Sequence, residues 1–304
     1  MNSLYLSALH KSSGKTVLTA GIGAALTADG YTVQPFKKGP DYIDPMWLSR
    51  ATGRRCFNLD YNAMTSAQIQ QSYSDRSRNV DVVLVEGNKG LHDGMSTDGG
   101  DSNAALAKLL QCPVVLVVDA SGIMRSVVPM VNGFHHFDPE VNIAGLILNK
   151  TGSARHEGKL LAAVDQYCDL PVLGCVRRNP DALLDERHLG LLPIAESPVA
   201  GGLIQRWRDI ARDAVDMGRL VELTGLAGSP AKRTSPSPLP ALKADLTIAI
   251  ARGKAFSFYY PDDLEHLIHG GAQLVDFDPM FDERLPPCDA LFIGGGFPGC
   301  HLAA

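Results

Sequence analysis

No two of the six cysteines form a CxxC pair; Cys56, Cys112, Cys168, Cys175, Cys288 and Cys300 are scattered along the chain. Reduced thiols in a cytoplasmic protein are the expected state. Basic charge is not in excess: 28 Lys and Arg stand against 33 Asp and Glu, for a net charge of -5. A global basic field for nucleic acid is thereby excluded. No apolar run reaches the roughly 18 residues that a membrane span needs. No basic segment followed by a long apolar one opens the chain, so a secretory signal is not expected. Neither nucleic acid nor a membrane is an expected partner. Internal repeats, heptads and low-complexity tails are also missing. What remains is an ordinary globular composition, 45% hydrophobic and 20% charged over 304 residues. That length accommodates about two domains at roughly 150 residues each.

Short apolar runs alternate with helical patterns. Residues 4–9, 31–36, 80–86, 113–118, 143–149 and 171–176 read as strands, several of them apolar throughout, as in a parallel sheet covered on both faces. Residues 16–30 carry apolar residues at helical spacing, with Gly30 as the stop. The alternation predicts an α/β fold with a doubly wound, mostly parallel sheet. Residues 228–240, GSPAKRTSPSPLP, read as a linker. A second α/β pattern then begins with LTIAIA, a helix near DDLEHLIHGG, AQLVDF and DALFIGGGFPG. The expected organisation is a domain over 1–227, a linker over 228–240 and the first part of another domain over 241–304.

Ser12-Ser13-Gly14-Lys15-Thr16 follows the first strand and opens a helix, the context of a phosphate loop. Backbone N–H groups at the helix start would face phosphates, Lys15 would reach the β/γ-phosphates, and Thr16 would bind Mg²⁺. The strict G-x-x-x-x-G-K-[ST] pattern fails at Leu9. The extra lysine of partition-type ATPases is also missing, because His10 stands in its place and Lys11 is one step off.

Carboxylates cluster where strands end. In KKGPDYIDP (37–45), Lys37 and Lys38 can pair with anionic substrate groups, and Asp41 and Asp44 can hold Mg²⁺ or position a nucleophile. In EGNKGLHDG (86–94), Glu86 ends an apolar strand, where an acid needs a partner such as Mg²⁺, and Asp93 can reach the same centre. Asp119 is a weaker candidate for this rim. Asn149, at the end of LILNK, can pair with a nucleobase edge or be a plain turn residue. His10 and the adjacent His135-His136 lack the i, i+4 spacing of a helical zinc site and read as surface residues.

The segments PFKKGPDYIDPMW, FNLD, VEGNKGLHDG, LVVDASG, LILNK and DERHLGLLP occur in this order, followed by AFSFYYPDDLEHL, FDPMFDERLP and FIGGGFPG. Together they resemble the cobyrinic acid a,c-diamide synthase family, glutamine-dependent tetrapyrrole amidases, over essentially the whole chain. The resemblance implies a dethiobiotin synthetase-like domain that binds ATP and Mg²⁺, joined to a class I glutaminase domain. It implies ATP-dependent amidation of the a- and c-side-chain carboxylates of cobyrinate or hydrogenobyrinate through an acyl phosphate. A related macrocycle (sirohydrochlorin, its nickel complex or siroheme) and a non-catalytic nucleotide-binding module stay open as alternatives. On the family's pattern Asp41, Asp44 and Asp93 are the active-site aspartates. Glu86 takes a Walker B-like role, with Asp41 and Thr16 as further metal ligands. Ser12, Ser13, Gly14, Lys15, Thr16 and Asn149 hold the nucleotide, and Tyr42 joins Lys37 and Lys38 on the substrate side. Ammonia, or glutamine through a complete glutaminase domain, is the implied nitrogen source, and a homodimer is compatible with this picture.

The family's nucleophilic cysteine lies several tens of residues beyond the GGGFP segment, so it is expected to fall outside a chain ending at Ala304. Cys300 is not expected to replace it, and the glutaminase part is expected to be inactive in this chain. An incomplete second domain is also expected to leave apolar strand edges uncovered.

Overall fold

The structure, a computed structural model of the chain, describes residues 2–180, 186–187, 190–197, 199–226 and 246–301. The linker expected at 228–240 lies outside the described residues, and the DERHLGLLP motif lies only partly within them. Two compact units can be distinguished. The first is Met1–Leu183 with Gly201–Arg233, and the second is Leu184–Ala200 with Thr234–Ala304.

The first unit contains seven strands: β1 (Ser3–Ala8), β2 (Val33–Lys38), β3 (Phe57–Leu59), β4 (Val82–Glu86), β5 (Val114–Asp119), β6 (Ile143–Thr151) and β7 (Val172–Arg177). They form one sheet in the order β3-β2-β4-β1-β5-β6-β7, with every pairing parallel. The helices are α1 (Lys15–Ala28), α2 (Ile43–Thr52), α3 (Ser66–Arg76), α4 (Asn103–Leu110), α5 (Val127–Phe137), α6 (Ala154–Tyr167), α7 (Ala200–Ala214) and α8 (Met217–Leu223).

Strand alternation distributes the core to both faces. Leu4, Leu6 and Ala8 of β1 join Leu18, Ile22 and Leu26, which recur every fourth residue on α1, together with Ala211 of α7 and Leu220 of α8. Tyr5 joins Ile69 of α3, Leu106 of α4, Val131 of α5 and Leu160 of α6 on the other face. Each buried Leu, Ile or Val side chain among these contributes about 1.5–3 kcal/mol. Trp47 and Trp207 pack 5.1 Å apart between α2 and α7. Gly21 of α1 lies so close to the Trp207 carbonyl that a Cβ would collide with it. α1 stops where expected, because Gly30 adopts φ +92°, a conformation that a side chain disfavours.

β3 was not apparent from the sequence. It is three residues long, too short to show a period, and forms by pairing Phe57, Asn58 and Leu59 with Phe36, Lys37 and Lys38.

In the second unit β8 (Glu186–Arg187) and β9 (Gly190–Leu191) form an antiparallel hairpin. A separate parallel sheet has the order β11-β10-β12, from β10 (Leu246–Ala251), β11 (Ala272–Phe277) and β12 (Ala290–Phe292). Helix α9 (Pro261–His269) packs Leu264 against Ile248 and Ile250. The Tyr259 hydroxyl donates to the Ala251 carbonyl at 2.5 Å and accepts the Gly294 N–H at 2.8 Å, which anchors the glycine-rich turn after β12. A Cβ on Gly296 would strike the Ala255 carbonyl, so that position requires glycine. Leu291 and Ile293 are exposed. Among the described residues, no helix is long and apolar enough to cross a membrane.

Candidate active site

β1, β2, β4, β5 and β6 end at one rim of the parallel sheet, where such folds place their ligands. The loop from β1 to α1 curls around one carbonyl. The Ser13 hydroxyl donates to the His10 carbonyl at 2.8 Å, and Lys15 Nζ donates to the same oxygen at 3.4 Å. Ser12 and Gly14 have φ of +61° and +87°. The first turn of α1 has no side-chain cap and no acidic residue, so its N–H groups are available to an anion.

Two successive residues at the end of β6 clamp this loop. Asn149 Nδ2 donates to the Ser13 carbonyl at 2.7 Å, and Lys150 Nζ donates to the Ser12 carbonyl at 2.6 Å and to Asp119 Oδ2 at 2.8 Å. Asp119, on β5, is the register partner of Asn149. Lys150 reaches across because its backbone turns left-handed, with φ +56°. A Cβ on Gly14 would run into the Asn149 amide. Lys150 is not among the residues expected from sequence to serve the site; its position directly after Asn149 is the available signal. Beside the clamp lies a cleft of about 300 Å³, lined by Val17, Leu18, Asn149, Lys150, Arg178 and Ile210. Its size and position suit a nucleobase.

The second half of the site is a buried ion cluster. Lys37 and Glu86 are register partners across β2 and β4. Lys37 Nζ lies 2.5 Å from Glu86 Oε1, 2.6 Å from Asp44 Oδ2 and 3.8 Å from Asp41 Oδ2, and it donates to the Gly87 carbonyl at 3.2 Å. The Thr16 hydroxyl donates to the same Glu86 oxygen at 2.9 Å. The structure thus joins Thr16, Lys37, Asp41, Asp44 and Glu86. Asp41 Oδ1 accepts the Ile43 and Asp44 N–H groups at 2.9 and 3.0 Å, which starts α2 with Tyr42 at its N-cap. Asn58 Nδ2 donates to the Gly39 and Asp41 carbonyls and fixes this turn.

Burial pushes the Glu86 carboxyl up to about 7, against the opposing pull of Lys37. Burial likewise raises Asp41 to about 6. Asp44 also resists ionisation through burial, but the Lys37 ammonium outweighs this and holds it below the ordinary value. Lys37, despite burial, is held well above its ordinary value by Asp44, Glu86 and Asp41. Lys15 is lowered to about 8, first by burial and then by Lys37, with Glu86, Asp44 and Asp93 opposing. Asp93 therefore belongs to the same field. Its Oδ2 accepts the Gly90 N–H at 2.9 Å. Its loop is pinned by Asn103, which accepts from the Tyr5 hydroxyl at 2.9 Å and donates to the Gly90 carbonyl at 2.7 Å. Asn103 had no sequence signal.

Lys38, the next residue of β2, points to the opposite face of the sheet. It is 6% exposed, and among the described residues its ammonium has no hydrogen-bond or ion-pair partner. Burial lowers it, while Asp101 and Asp60 pull the other way. The two adjacent lysines are thus not equivalent: Lys37 is engaged by carboxylates and Lys38 is available.

Glu86 Oε2 is buried without a hydrogen-bond partner. An orphaned carboxylate oxygen beside the Thr16 hydroxyl fits a hard divalent cation such as Mg²⁺. Among the described residues, no three metal-ligating side chains form a cage by themselves. A cation that keeps waters and phosphate oxygens needs only one or two protein ligands.

His10 lies within the phosphate loop and supplies the carbonyl that the loop surrounds. His10 Nδ1 is 2.6 Å from the Lys11 carbonyl, and His135 and His136 pack edge-on at 5.0 Å. Cys300 is exposed in a 3₁₀ turn over Pro298–His301, and His301 Nε2 lies 3.6 Å from Glu196 Oε2.

The family described as the CobQ/CobB/MinD/ParA nucleotide binding domain matches residues 10–191, and the CobB/CobQ-like glutamine amidotransferase domain matches residues 247–304. Cobyrinate a,c-diamide synthase of Magnetococcus marinus is 44% identical over 301 residues, covering 97% of this chain and 64% of that protein. Its counterparts in Methanosarcina acetivorans and Salmonella typhimurium are 40% and 39% identical, covering 98% and 95% of this chain and 63% of each relative. The chain thus spans somewhat less than two thirds of the length of these relatives. Among solved structures, chloroplast FtsY from Physcomitrella patens aligns with a TM-score of 0.45 at 16% identity, covering 73% of this chain and 64% of that one.

Proposed function

The chain belongs to the cobyrinate a,c-diamide synthase family, and from that premise we propose that its first unit activates the a- and c-side-chain carboxylates of cobyrinate or hydrogenobyrinate with ATP. The observation that carries this reading is the junction of a phosphate loop with the buried Thr16–Glu86–Lys37–Asp44 cluster at one sheet rim.

The substrate carboxylate oxygen attacks the γ-phosphorus of ATP, and the bond to the β,γ-bridging oxygen breaks to release ADP. Ammonia nitrogen then attacks the acyl carbon, phosphate leaves, and a proton is lost to give the amide. Little covalent chemistry is asked of the protein; positioning and charge compensation dominate. The N-terminus of α1 and Lys15 receive the phosphates, and Asn149 and the adjoining cleft receive the base. Thr16 and Glu86, with Asp41 nearby, would hold Mg²⁺, which when bound neutralises phosphate charge. Asp41 and Asp44 orient the reacting groups, and Asp41, raised to about 6 by burial, offers a base for the proton lost from nitrogen. Asp93 adds negative charge to the field around Lys15. Lys38 and Tyr42 meet the substrate.

In this reading residues 1–227 carry the ligase domain apart from 184–200, which group with the second unit, 228–240 connect it onward, and 241–304 belong to the amidotransferase part. Purified protein with ATP, Mg²⁺, ammonium and cobyrinate should form mono- and diamide, with one ADP per amide. Absence of nucleotide- and ammonia-dependent amidation overturns the proposal.

A further inference from the structure

We propose that Lys37 is an internal counter-cation that excludes free divalent metal from the Thr16–Glu86 site until nucleotide is bound. This rests on reading the centre as a metal–nucleotide site, and does not depend on amidation.

The Lys37 ammonium is the group nearest the carboxylates that a metal would use. It lies 2.5 Å from Glu86 and 2.6 Å from Asp44, and its side chain is 2% exposed. It cannot easily withdraw, because its backbone is fixed in the middle of the β3-β2-β4 ladder, opposite both Asn58 and Glu86. A divalent cation at the orphaned Glu86 Oε2 would therefore sit beside a desolvated positive charge, with Lys15 contributing a second from the phosphate loop. Like charges held this close in a poorly solvated pocket repel strongly.

Nucleotide changes the balance. Its phosphates bring negative charge between Lys15 and the cluster, together with oxygens that complete a metal's coordination. The metal can then enter despite Lys37. The competing account is that Lys37 only neutralises three carboxylates for folding. The two accounts differ in sign: if Lys37 excludes metal, removing it must strengthen metal binding.

Mn²⁺ alone is the probe, followed by the paramagnetic signal of the free ion. The wild-type chain should bind Mn²⁺ weakly without nucleotide and tightly with ADP. Lys37→Met should bind Mn²⁺ without nucleotide at least about 10-fold more tightly than wild type. Mn²⁺ alone should also raise its thermal midpoint where it leaves the wild type unmoved. Lys37→Gln, which keeps a hydrogen-bond donor towards Glu86, should show the same gain and serves if Lys37→Met does not fold. Unchanged or weaker Mn²⁺ binding in the folded variant overturns the inference, as does wild-type protein binding Mn²⁺ equally well with and without ADP. Loss of amidation with this Mn²⁺ pattern intact would count against the proposed reaction alone.

Discussion

Lys37 and Glu86 face each other across adjacent parallel strands, with Nζ and Oε1 2.5 Å apart and neither side chain more than 2% exposed. Parallel sheets covered on both faces rarely admit charge, and here the charge sits at the strand ends where the phosphate loop begins.

The first prediction concerns pH. Glu86 is raised from an ordinary 4.5 to about 7. Between those values the folded chain holds a proton that the unfolded chain has released. The associated stabilisation is complete below about 4.5 and is lost as pH rises through about 7. Asp41, raised to about 6, acts in the same direction. Asp44 is lowered, so its contribution changes only at more acidic pH. Metal-free wild-type protein should therefore lose about 1–3 kcal/mol of stability between pH 5 and 8. Glu86→Gln should show a shallower slope in denaturant titrations. A slope as steep as the wild type would remove Glu86 as its source.

The second concerns the clamp on the phosphate loop. Lys150→Met should free the Ser12 carbonyl and raise the KM for ATP by about 10-fold, the effect of losing one charge-assisted hydrogen bond, and Asp119→Asn, which leaves Lys150 in place but weakens its anchor, should raise it less. The KM for cobyrinate should stay within about 2-fold of wild type, as expected where the lost contact serves the nucleotide alone. An equal rise in both KM values would contradict the assignment of the clamp to the nucleotide.

Lys38 gives the third. This residue is 6% exposed and no described carboxylate lies in an ion pair with it, while Asp101 and Asp60 attract it only at longer range, so a substrate carboxylate is the group proposed to engage it. Lys38→Met should raise the KM for cobyrinate by about 10-fold or more and leave ATP binding intact. Lys38→Arg should recover part of the loss. If Lys38→Met leaves the cobyrinate KM unchanged, Lys38 does not meet the substrate.

The fourth concerns the nitrogen source. A glutaminase cysteine must be held on a strand-to-helix elbow with its base oriented. Among the described residues of the second unit, Cys288 precedes β12 and Cys300 lies in an exposed 3₁₀ turn. The 304-residue chain should therefore accept ammonium and not glutamine. Release of glutamate from glutamine, measured with the chain alone, would show otherwise.

Much of this was legible in the sequence because buried parallel strands announce themselves as apolar runs. The runs at 4–9, 80–86, 113–118, 246–251 and 272–277 correspond closely to β1, β4, β5, β10 and β11. Glu86 stood out because an acid closing such a run needs a partner. The opposed directions of Lys37 and Lys38 follow from strand alternation, although side by side in the sequence they look like one pair. Other features depend on contacts remote in the chain. β3 exists through its ladder with β2. Lys150 acts only because a left-handed backbone turns it towards residue 12. Asn103 bonds to Tyr5, nearly a hundred positions away. The domain expected over 1–227 includes the segment Leu184–Ala200, which groups with the second unit.

This grouping means that a segment of the second unit, 184–200, stands in the sequence between β7 and the helices α7 and α8 of the first. The two units are therefore not consecutive stretches of sequence. A single cut in the 228–240 segment would leave the β8–β9 hairpin on the wrong fragment. Separate expression of the halves would need a redesigned chain order, and any insertion or deletion within 184–200 would be felt by a unit whose remaining residues begin some forty positions later.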